Sequence, residues 1–142
     1  MNQYISHFDA SLHTFEYVQS KSSFLLTTIL SAAAKAFNPS LYPSLHSHAE
    51  DLLSKVFRLG TKSPETVQAI MMLTYWKQPE DTRAWTSVGY AIRVCMDLGW
   101  HKLAPRAPDE TSMDEIKERE TRNIERTWLV LFVYDRRYDF DR

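Results

Sequence analysis

The sequence has few of the residues that build disulfide-rich or turn-rich proteins. It contains one cysteine, Cys95, and three glycines in 142 residues. A single cysteine excludes an intrachain disulfide and a cysteine-ligated zinc cluster within this chain, and it favours a reducing compartment. So few glycines are unusual for an architecture that turns often, whereas helices tolerate the shortage. Residues 1–10 also lack the basic start and the apolar run of a secretion signal, so secretion is not expected.

Long apolar runs and an excess of one charge sign are missing as well. The most apolar stretch, residues 24–37, is interrupted by threonine, serine and lysine, and it falls short of the roughly 18 residues that span a bilayer. Seventeen basic residues stand against eighteen acidic ones, which gives a formal net charge of −1. This balance argues against the broad basic surface of a direct nucleic-acid binder. Composition therefore predicts one soluble, intracellular domain without a membrane span.

The spacing of apolar residues predicts six amphipathic helices, and no window alternates like a surface strand. The sequence therefore predicts an all-α fold, an irregular bundle of about six helices. Start and stop signals support several boundaries: Ser63-Pro64-Glu65 is a helix start, and Gly60 and Gly99 are C-terminal stops. Ser112 and Glu115 form a capping box before the last helix. The predicted helices span residues 4–19, 23–37, 45–60, 63–77, 82–98 and 112–135, and residues 40–44 form a linker.

Each predicted helix has an apolar stripe that we expect to be buried. In chain order the main positions of these stripes are Ile5, Phe8, Leu12 and Phe15; Leu26, Ile29, Leu30, Ala33 and Phe37; Leu45, Ala49, Leu52, Leu53, Val56 and Phe57; Val67, Ile70, Met71 and Thr74; and Trp85, Val88, Ile92, Cys95 and Met96.

Asp135 is an acidic residue within the apolar stripe of the last predicted helix. At 100° per residue it falls in the same quarter of the circumference as four apolar positions, Ile124, Trp128, Leu131 and Phe132. Because an unpaired buried carboxylate costs several kcal/mol, a cationic partner is expected. Arg93, beside Gly89 in the fifth helix, is the candidate. An ion pair of structural role is the favoured interpretation, and a ligand-binding or catalytic acid is the alternative.

The last two turns of that helix are apolar on nearly every side, because Leu129, Val130 and Val133 lie opposite the stripe. Such a helix is normally buried all round. Either another chain or sequence outside these 142 residues is expected to cover it.

The residues that could carry catalysis or bind metal do not converge. His46 and His48 are two apart and diverge by about 160° on a helix, so a shared zinc ion is not expected. His7 and His13 also diverge. A triad of Cys95, His101 and Asp135 can be written down, but Cys95 belongs to an apolar face. No hydrolase, zinc-protease or nucleotide-binding signature occurs. The sequence therefore assigns no catalytic, cofactor-binding or metal-ligating residue.

Two further groups favour structural interpretations. The four tryptophans, Trp76, Trp85, Trp100 and Trp128, are expected in the core rather than in an aromatic cage, although a small-molecule pocket between helices stays open. Three arginines of the last helix, Arg119, Arg122 and Arg126, alternate with glutamates and indicate a solvated, ion-paired face rather than a phosphate-binding track.

The predicted fourth to sixth helices resemble the middle homology region of fungal zinc-cluster transcription factors. The resemblance covers residues 63–136 well and residues 24–59 more loosely. It is carried by the order and spacing of residues 66–73, Ala84-Trp85, residues 89–93, residues 97–102, Arg126-Thr127-Trp128, Phe132 and Asp135-Arg136.

The resemblance implies a non-catalytic, all-helical regulatory domain that controls transcription in the nucleus. In the family such a domain lies between a zinc cluster that binds DNA and an activation segment, so zinc and DNA contact belong to a segment outside this chain. Residues 1–142 would form a partial regulatory domain, since the Gly-Arg-Pro motif that the family usually carries after Asp135-Arg136 is absent. Trp100 and Cys95 also depart from the usual residue types. The resemblance also implies a set of scaffold residues: Gly89, Ala91, Arg93, Asp97, Leu98, Gly99 and His101.

Alternatives stay open at this point. A stand-alone helical module for protein interaction or small-molecule sensing is the runner-up, and an enzyme of unrecognised type is the third interpretation. An effector or a co-regulator protein is the expected partner, and a homodimer is left open.

Overall fold

A computed structural model describes residues 8–102 and 114–140, with side chains up to residue 136. The described residues form six α-helices and one 3₁₀ turn, and no strand occurs among them. The all-α prediction is confirmed. No helix in the described part of the chain is long and apolar enough to cross a membrane. The elements are α1 (Phe15–Lys21), α2 (Ser23–Phe37), α3 (Tyr42–Leu59), α4 (Pro64–Tyr75), α5 (Ala84–Asp97), the 3₁₀ turn (Trp100–Lys102) and α6 (Glu115–Phe140).

Helix α4 is the centre of the fold because it contacts α2, α5 and α6. Its start follows the predicted signal: the Ser63 hydroxyl accepts a hydrogen bond from the Thr66 N–H at 3.1 Å, and Pro64 occupies the first turn. Eight of its twelve residues are buried, including every position of the predicted stripe. Helix α3, in contrast, packs mainly on α2 and buries only Ala49 completely.

Charged side chains connect these elements at their ends. The Lys35 ammonium of α2 donates to the Trp76 and Lys77 carbonyls at 2.8 and 3.1 Å, where α4 ends. A cation at this place satisfies carbonyl groups that have no helical partner. Arg83, just before α5, binds Glu50 of α3 and its neighbour Asp81. These contacts join α2 to the end of α4, and the middle of α3 to the start of α5.

The first predicted helix, 4–19, is wrong in its extent. Residues 1–7 lie outside the described part, and α1 starts only at Phe15. The reason is local hydrogen bonding: the Asp9 carboxylate accepts from the Ser11 N–H, and the Asp9 N–H donates to His13 Nδ1 at 3.0 Å. Such bonds compete with a helical backbone. The Thr14 hydroxyl then caps α1, and Phe15 is exposed.

Two other boundaries differ from the prediction. Helix α3 begins at Tyr42, inside the predicted linker, because Pro43 fits the first turn of a helix, where its missing N–H costs nothing. Helix α6 runs to Phe140, beyond the predicted end at residue 135. The predicted capping residue Ser112 lies outside the described residues. Gly60 and Gly99 end α3 and α5 with φ values of 64° and 79°, as predicted.

Several predicted buried faces are rotated. In α2 the buried positions include Leu25, Thr28 and Ala32, whereas Leu30 is exposed and Phe37 is 76% exposed. In α3 Phe57 is exposed. In α5 Val88 and Cys95 are buried as predicted, but Trp85 and Met96 are exposed. The remaining buried positions of α5 are Ala84, Ala91 and Val94.

Candidate functional site

Three polar side chains are buried at the contact between α4 and α6. Gln68 and Thr127 are 0% exposed and Asn123 is 3% exposed. The Gln68 Nε2 amide donates to Asn123 Oδ1 at 2.8 Å and to Thr127 Oγ1 at 3.1 Å. We call Gln68, Asn123 and Thr127 the polar seam. Because a buried amide donor is costly to leave unpaired, these two hydrogen bonds fix the position of α6 on α4.

The sequence places the polar seam through simple helical geometry. Asn123 and Thr127 are four residues apart, so they lie on one face of α6, and the Thr127 hydroxyl donates to the Asn123 carbonyl at 2.7 Å. Gln68 follows Val67 on the buried side of α4. Sequence reasoning missed this cluster. The available signal was three uncharged polar residues at positions that neighbour predicted apolar stripes.

The residue His13 lies at the edge of the polar seam. Its Nδ1 atom lies 3.0 Å from both the backbone nitrogen and the carbonyl oxygen of Asp9, and its ring is half-buried. Burial lowers the pKa of His13, and the Arg126 charge acts in the same direction, whereas the Asp9 carbonyl, the Gln68 side chain and the Asp9 charge oppose the shift. His13 Nε2 and Gln68 Oε1 are both buried, and neither has a hydrogen-bond partner among the described residues.

Ion pairs attach the N-terminal segment to α6 around this edge. Arg119 binds Asp9 at 3.1 Å and Glu115 at 3.0 Å. Burial raises the pKa of Asp9, but the Ser11 N–H and Arg119 outweigh it, so the net shift is downward. These contacts make residues 9–13 part of the α4–α6 contact rather than a separate arm.

A second connection joins α1 to α6. The Tyr17 hydroxyl donates to Glu120 Oε1 at 2.9 Å, and the Lys21 ammonium lies 3.1 Å from the same oxygen. The two hydrogen bonds hold the pKa of Glu120 below its usual value. Burial and the neighbouring Glu120 raise the pKa of Tyr17, so its phenol stays protonated. The group is a structural ion-pair network.

The predicted pair of Arg93 and Asp135 does not form. The Arg93 guanidinium is exposed and donates to the Gly89 carbonyl of its own helix at 3.0 Å. Asp135 is only half-buried, and it has no ion-pair partner in the part of the chain that the structure describes. The predicted stripe of α6 was displaced by about one residue. The fully buried line of this helix contains Asn123, Thr127 and Leu131.

The residues of the hypothetical triad are not brought together as a reactive group. Cys95 is fully buried, and burial raises the pKa of its thiol to about 12. A thiol with so high a pKa is protonated at neutral pH and is a poor nucleophile. His101 is exposed in the 3₁₀ turn. Among the described residues, the arrangement supplies neither a thiolate nor a base in hydrogen-bond reach of the sulfur.

The other candidate residues have identifiable roles. His46 stacks on Tyr42, with ring centroids 5.2 Å apart, and lies 3.8 Å from Glu50. Groups of three or more metal-ligating side chains do not occur among residues 8–102 and 114–136. The tryptophans do not form a cage: Trp100 is buried and Trp85 exposed, while Trp76 and Trp128 are half-buried against core clusters.

The arginine run of α6 is ion-paired at Arg119 and Arg122, as predicted, but not at Arg126. Arg126 is half-buried, and one of its guanidinium nitrogens has no hydrogen-bond partner among the described residues. Arg122 binds Glu118 one turn away, while Arg119 binds Glu115 and Asp9. These guanidinium groups already have carboxylate partners. They therefore do not present a row of free cations to a phosphate backbone.

A small cleft lies between α3, the end of α4 and the start of α5. Its lining includes Glu50, Leu53, Thr74, Lys77 and Arg83. The free volume of about 20 Å³ is enough for roughly one water molecule. This cleft is too small for a metabolite-sized effector in the described conformation.

Comparison with known proteins places these features in context. A family model described as "Fungal specific transcription factor domain" matches residues 2–140. The chain is 39% identical over 138 residues to "Protein priB" of Lentinula edodes. The alignment covers 96% of this chain but 22% of that protein, so the chain spans about a fifth of this relative's length. No solved structure matches significantly.

Proposed function

Because the chain belongs to the fungal specific transcription factor domain family, we propose that it is a non-catalytic regulatory domain of a zinc-cluster transcription factor. The family match over residues 2–140 is the observation that carries this proposal. In the proposed protein, DNA is contacted by a cysteine-rich zinc cluster in a segment outside these 142 residues. The expected site of action is the nucleus.

The charge distribution supports a regulatory role for this domain, with DNA contacted by a separate segment. The net charge is −1, and Arg119, Arg122 and Arg83 are paired with carboxylates. Non-specific DNA binding depends on unpaired Lys and Arg that replace counterions on the phosphates. The domain is thus suited to contacts with an effector or a co-regulator protein rather than with DNA.

The polar seam gives the proposed domain a means to transmit a signal. It joins α4 to α6 through Gln68, while Asp9 and Arg119 attach the N-terminal segment to the same helix. A displacement of α6 would require these buried hydrogen bonds to break or to exchange together. Discrete rearrangement of packed helices is the usual basis of such coupling.

A tethering experiment tests the regulatory role. The natural full-length product, with any native DNA-binding segment inactivated, is fused to a heterologous DNA-binding domain upstream of a reporter gene in a fungal host. We expect reporter output to change, in either direction, relative to the DNA-binding domain alone. We expect Gln68→Leu, which leaves the polar seam incomplete, to alter that change more than Gln19→Leu on the exposed side of α1.

Reporter output equal to that of the DNA-binding domain alone would contradict the regulatory role. The transcript gives an independent check, because a zinc-cluster factor requires a cysteine-rich coding segment in the same reading frame. A complete frame without such a segment would instead favour a stand-alone interaction module.

A further inference from the structure

Five exposed side chains form a line along the outer face of α6. They are separated by steps of three, four, three and four residues, which is the heptad spacing of a helix-pairing seam. All five are exposed. We call this line the outer seam, and its members are Arg122, Glu125, Leu129, Phe132 and Arg136.

The apolar centre of the outer seam is about half exposed or more in the part of the chain that the structure describes. Leu129 is 65% exposed and Phe132 is 48% exposed, and the adjoining Val133 is 53% exposed. The opposite face of the same helix is buried through Thr127 and Leu131. Helix α6 therefore has one face that packs on the domain and a second, apolar face that points outward. Contiguous exposed apolar residues with a polar rim are typical of interaction surfaces.

The charges on either side of the apolar centre of the outer seam are opposite and symmetrically placed. Glu125 lies four residues before Leu129, and Arg136 lies four residues after Phe132. The midpoint of both pairs falls between residues 130 and 131. A two-fold axis at this point would place Leu129 against Phe132 of a second copy, and Glu125 against Arg136 of that copy.

We propose that the outer seam is a homodimer interface in which the α6 helices of two copies pack antiparallel. A two-fold axis makes each contact occur twice, so one pair of helices gains two Glu125–Arg136 pairs and two Leu129–Phe132 contacts. In a parallel arrangement Glu125 would face Glu125 and Arg136 would face Arg136. The order of charges therefore selects the antiparallel orientation.

The side chains that would form the intermolecular ion pairs are free for this role in the monomer. Within residues 8–102 and 114–136, neither Glu125 nor Arg136 has an ion-pair partner. The Arg136 guanidinium lies over the Phe132 ring, 5.2 Å from its centroid, which aligns it along the outer seam. Arg122 differs because it already binds Glu118. Glu125 and Arg136 consequently carry the complementarity.

The interface is small, so the dimer should be weak. The eleven steps from Glu125 to Arg136 correspond to about 16 Å of helix. A single contact of about three turns is expected to bury less area than the roughly 1,200–2,000 Å² of standard stable interfaces. We therefore expect a reversible monomer–dimer equilibrium whose dimer fraction rises with concentration.

Sedimentation velocity with the 142-residue chain tests this equilibrium over concentrations from about 1 to 300 μM, a range suited to weak association. We expect the weight-average sedimentation coefficient to rise with concentration. Glu125→Arg and Arg136→Glu should each weaken dimerisation about tenfold or more, because each puts like charges opposite each other twice.

An equimolar mixture of Glu125→Arg and Arg136→Glu provides the decisive measurement. In the mixed dimer, the arginine introduced at position 125 of one copy faces the glutamate introduced at position 136 of the other. At the second contact the native Arg136 and Glu125 face each other. Dimerisation of the mixture should recover toward that of the unsubstituted chain, although each variant alone dimerises poorly. The double variant carrying both substitutions should also recover, because it exchanges the two charges.

Asp51→Arg and Arg58→Glu are the matched controls, since both residues are exposed on α3. Neither should affect dimerisation, and circular dichroism should show unchanged helicity for all variants. The proposal is overturned if the unsubstituted chain stays monomeric throughout. Self-association that the reversed variants do not weaken, or a mixture that shows no recovery, overturns it as well. The test does not depend on a role in transcription.

Discussion

Gln68 is an amide in the middle of an otherwise apolar contact, and it organises that contact. Its Nε2 group donates to Asn123 and to Thr127, which brings α4 and α6 into one register. Apolar side chains on the same surfaces could slide past one another with small losses, whereas these hydrogen bonds require one relative position. The polar seam thus adds specificity to the hydrophobic packing of Ile70 and Leu131.

Replacing Gln68 by leucine tests this role. The substitution keeps approximate size but leaves the Asn123 Oδ1 acceptor buried without its donor. We expect Gln68→Leu to lower the free energy of unfolding by about 1–3 kcal/mol, as measured by urea denaturation. Gln19→Leu on exposed α1 is the control and should change it by less than about 0.5 kcal/mol. Equal effects of the two substitutions would show that the hydrogen bonds of the polar seam are dispensable.

His13 makes stability depend on pH. Burial lowers its folded-state pKa below the ordinary value of 6.5. The unfolded chain therefore binds a proton near that value, while the folded chain binds it only at lower pH. The stability that neutral His13 contributes is complete above the unfolded pKa and is lost as pH falls through the folded one.

We expect the free energy of unfolding to decrease between about pH 7.5 and pH 5.5, and His13→Gln to reduce this decrease. Urea denaturation at several pH values measures how the free energy of unfolding changes with pH in the unsubstituted chain and in His13→Gln. The other histidines are present in both proteins, so they cancel in the comparison. Asp9 and Arg126 both act on the ring, and the pKa of Asp9 is lowered, which moves it further from this window. Parallel slopes in the two proteins would contradict the assignment to His13.

Individual residues were the hardest level to predict from the sequence. The last-helix stripe was placed about one residue from its true centre, which put Asp135 inside and left Asn123 and Thr127 unnoticed. Exposed Leu129 and Phe132 are as apolar as the buried positions, so periodicity alone could not choose the inner face. The choice depends on which face meets α4, and that is tertiary information.

The helices themselves could be predicted well where local signals are strong. The Ser63-Pro64-Glu65 start and the Gly60 and Gly99 ends all occur at the predicted places. These boundaries depend on neighbouring residues only, which is why they were found. The first helix was overextended because the hydrogen bonds around Asp9 and His13 compete with helix formation and are not visible in apolar spacing.

Two glycines in different backbone conformations should respond oppositely to alanine. Gly60 has φ of 64°, in the left-handed region, so Gly60→Ala should destabilise the protein by about 1 kcal/mol. Gly89 lies inside α5, and an added Cβ would meet only the flexible end of Arg93, at 3.3 Å. Gly89→Ala should therefore stabilise the protein by about 0.5–1 kcal/mol.

Thermal or urea unfolding of both glycine variants provides the measurement. The pair controls for the general effect of adding a methyl group, since the chemical change is identical. Destabilisation of similar size at both positions would mean that the space around Gly89 is more restricted than its neighbour Arg93 indicates.

At the scale of the whole molecule, patterns spread along the chain predicted more than any single motif did. The all-α architecture follows from helical periodicity, and the family follows from the order of several short sequence motifs along α4, α5 and α6. The relation of α6 to the rest could not be derived in this way. It depends on three polar residues from two distant parts of the chain, which no local pattern connects.

The balanced charge leads to an expectation for DNA. With a net charge of −1, and with Arg119 and Arg122 of α6 paired with carboxylates, the 142-residue chain should not retard a DNA duplex at about 10 μM protein and about 100 mM salt. An electrophoretic mobility shift assay measures this. Retardation that disappears at higher salt would reveal a basic surface and would contradict the proposed separation of DNA contact from this domain.

The burial of Cys95 has a practical consequence. The thiol is fully enclosed, and its pKa of about 12 keeps it protonated in the native state. A thiol-specific dye can therefore react only with molecules whose interior has transiently opened. Since the chain has no other cysteine, the labelling rate under native conditions is a built-in gauge of how often the centre of the bundle is breached.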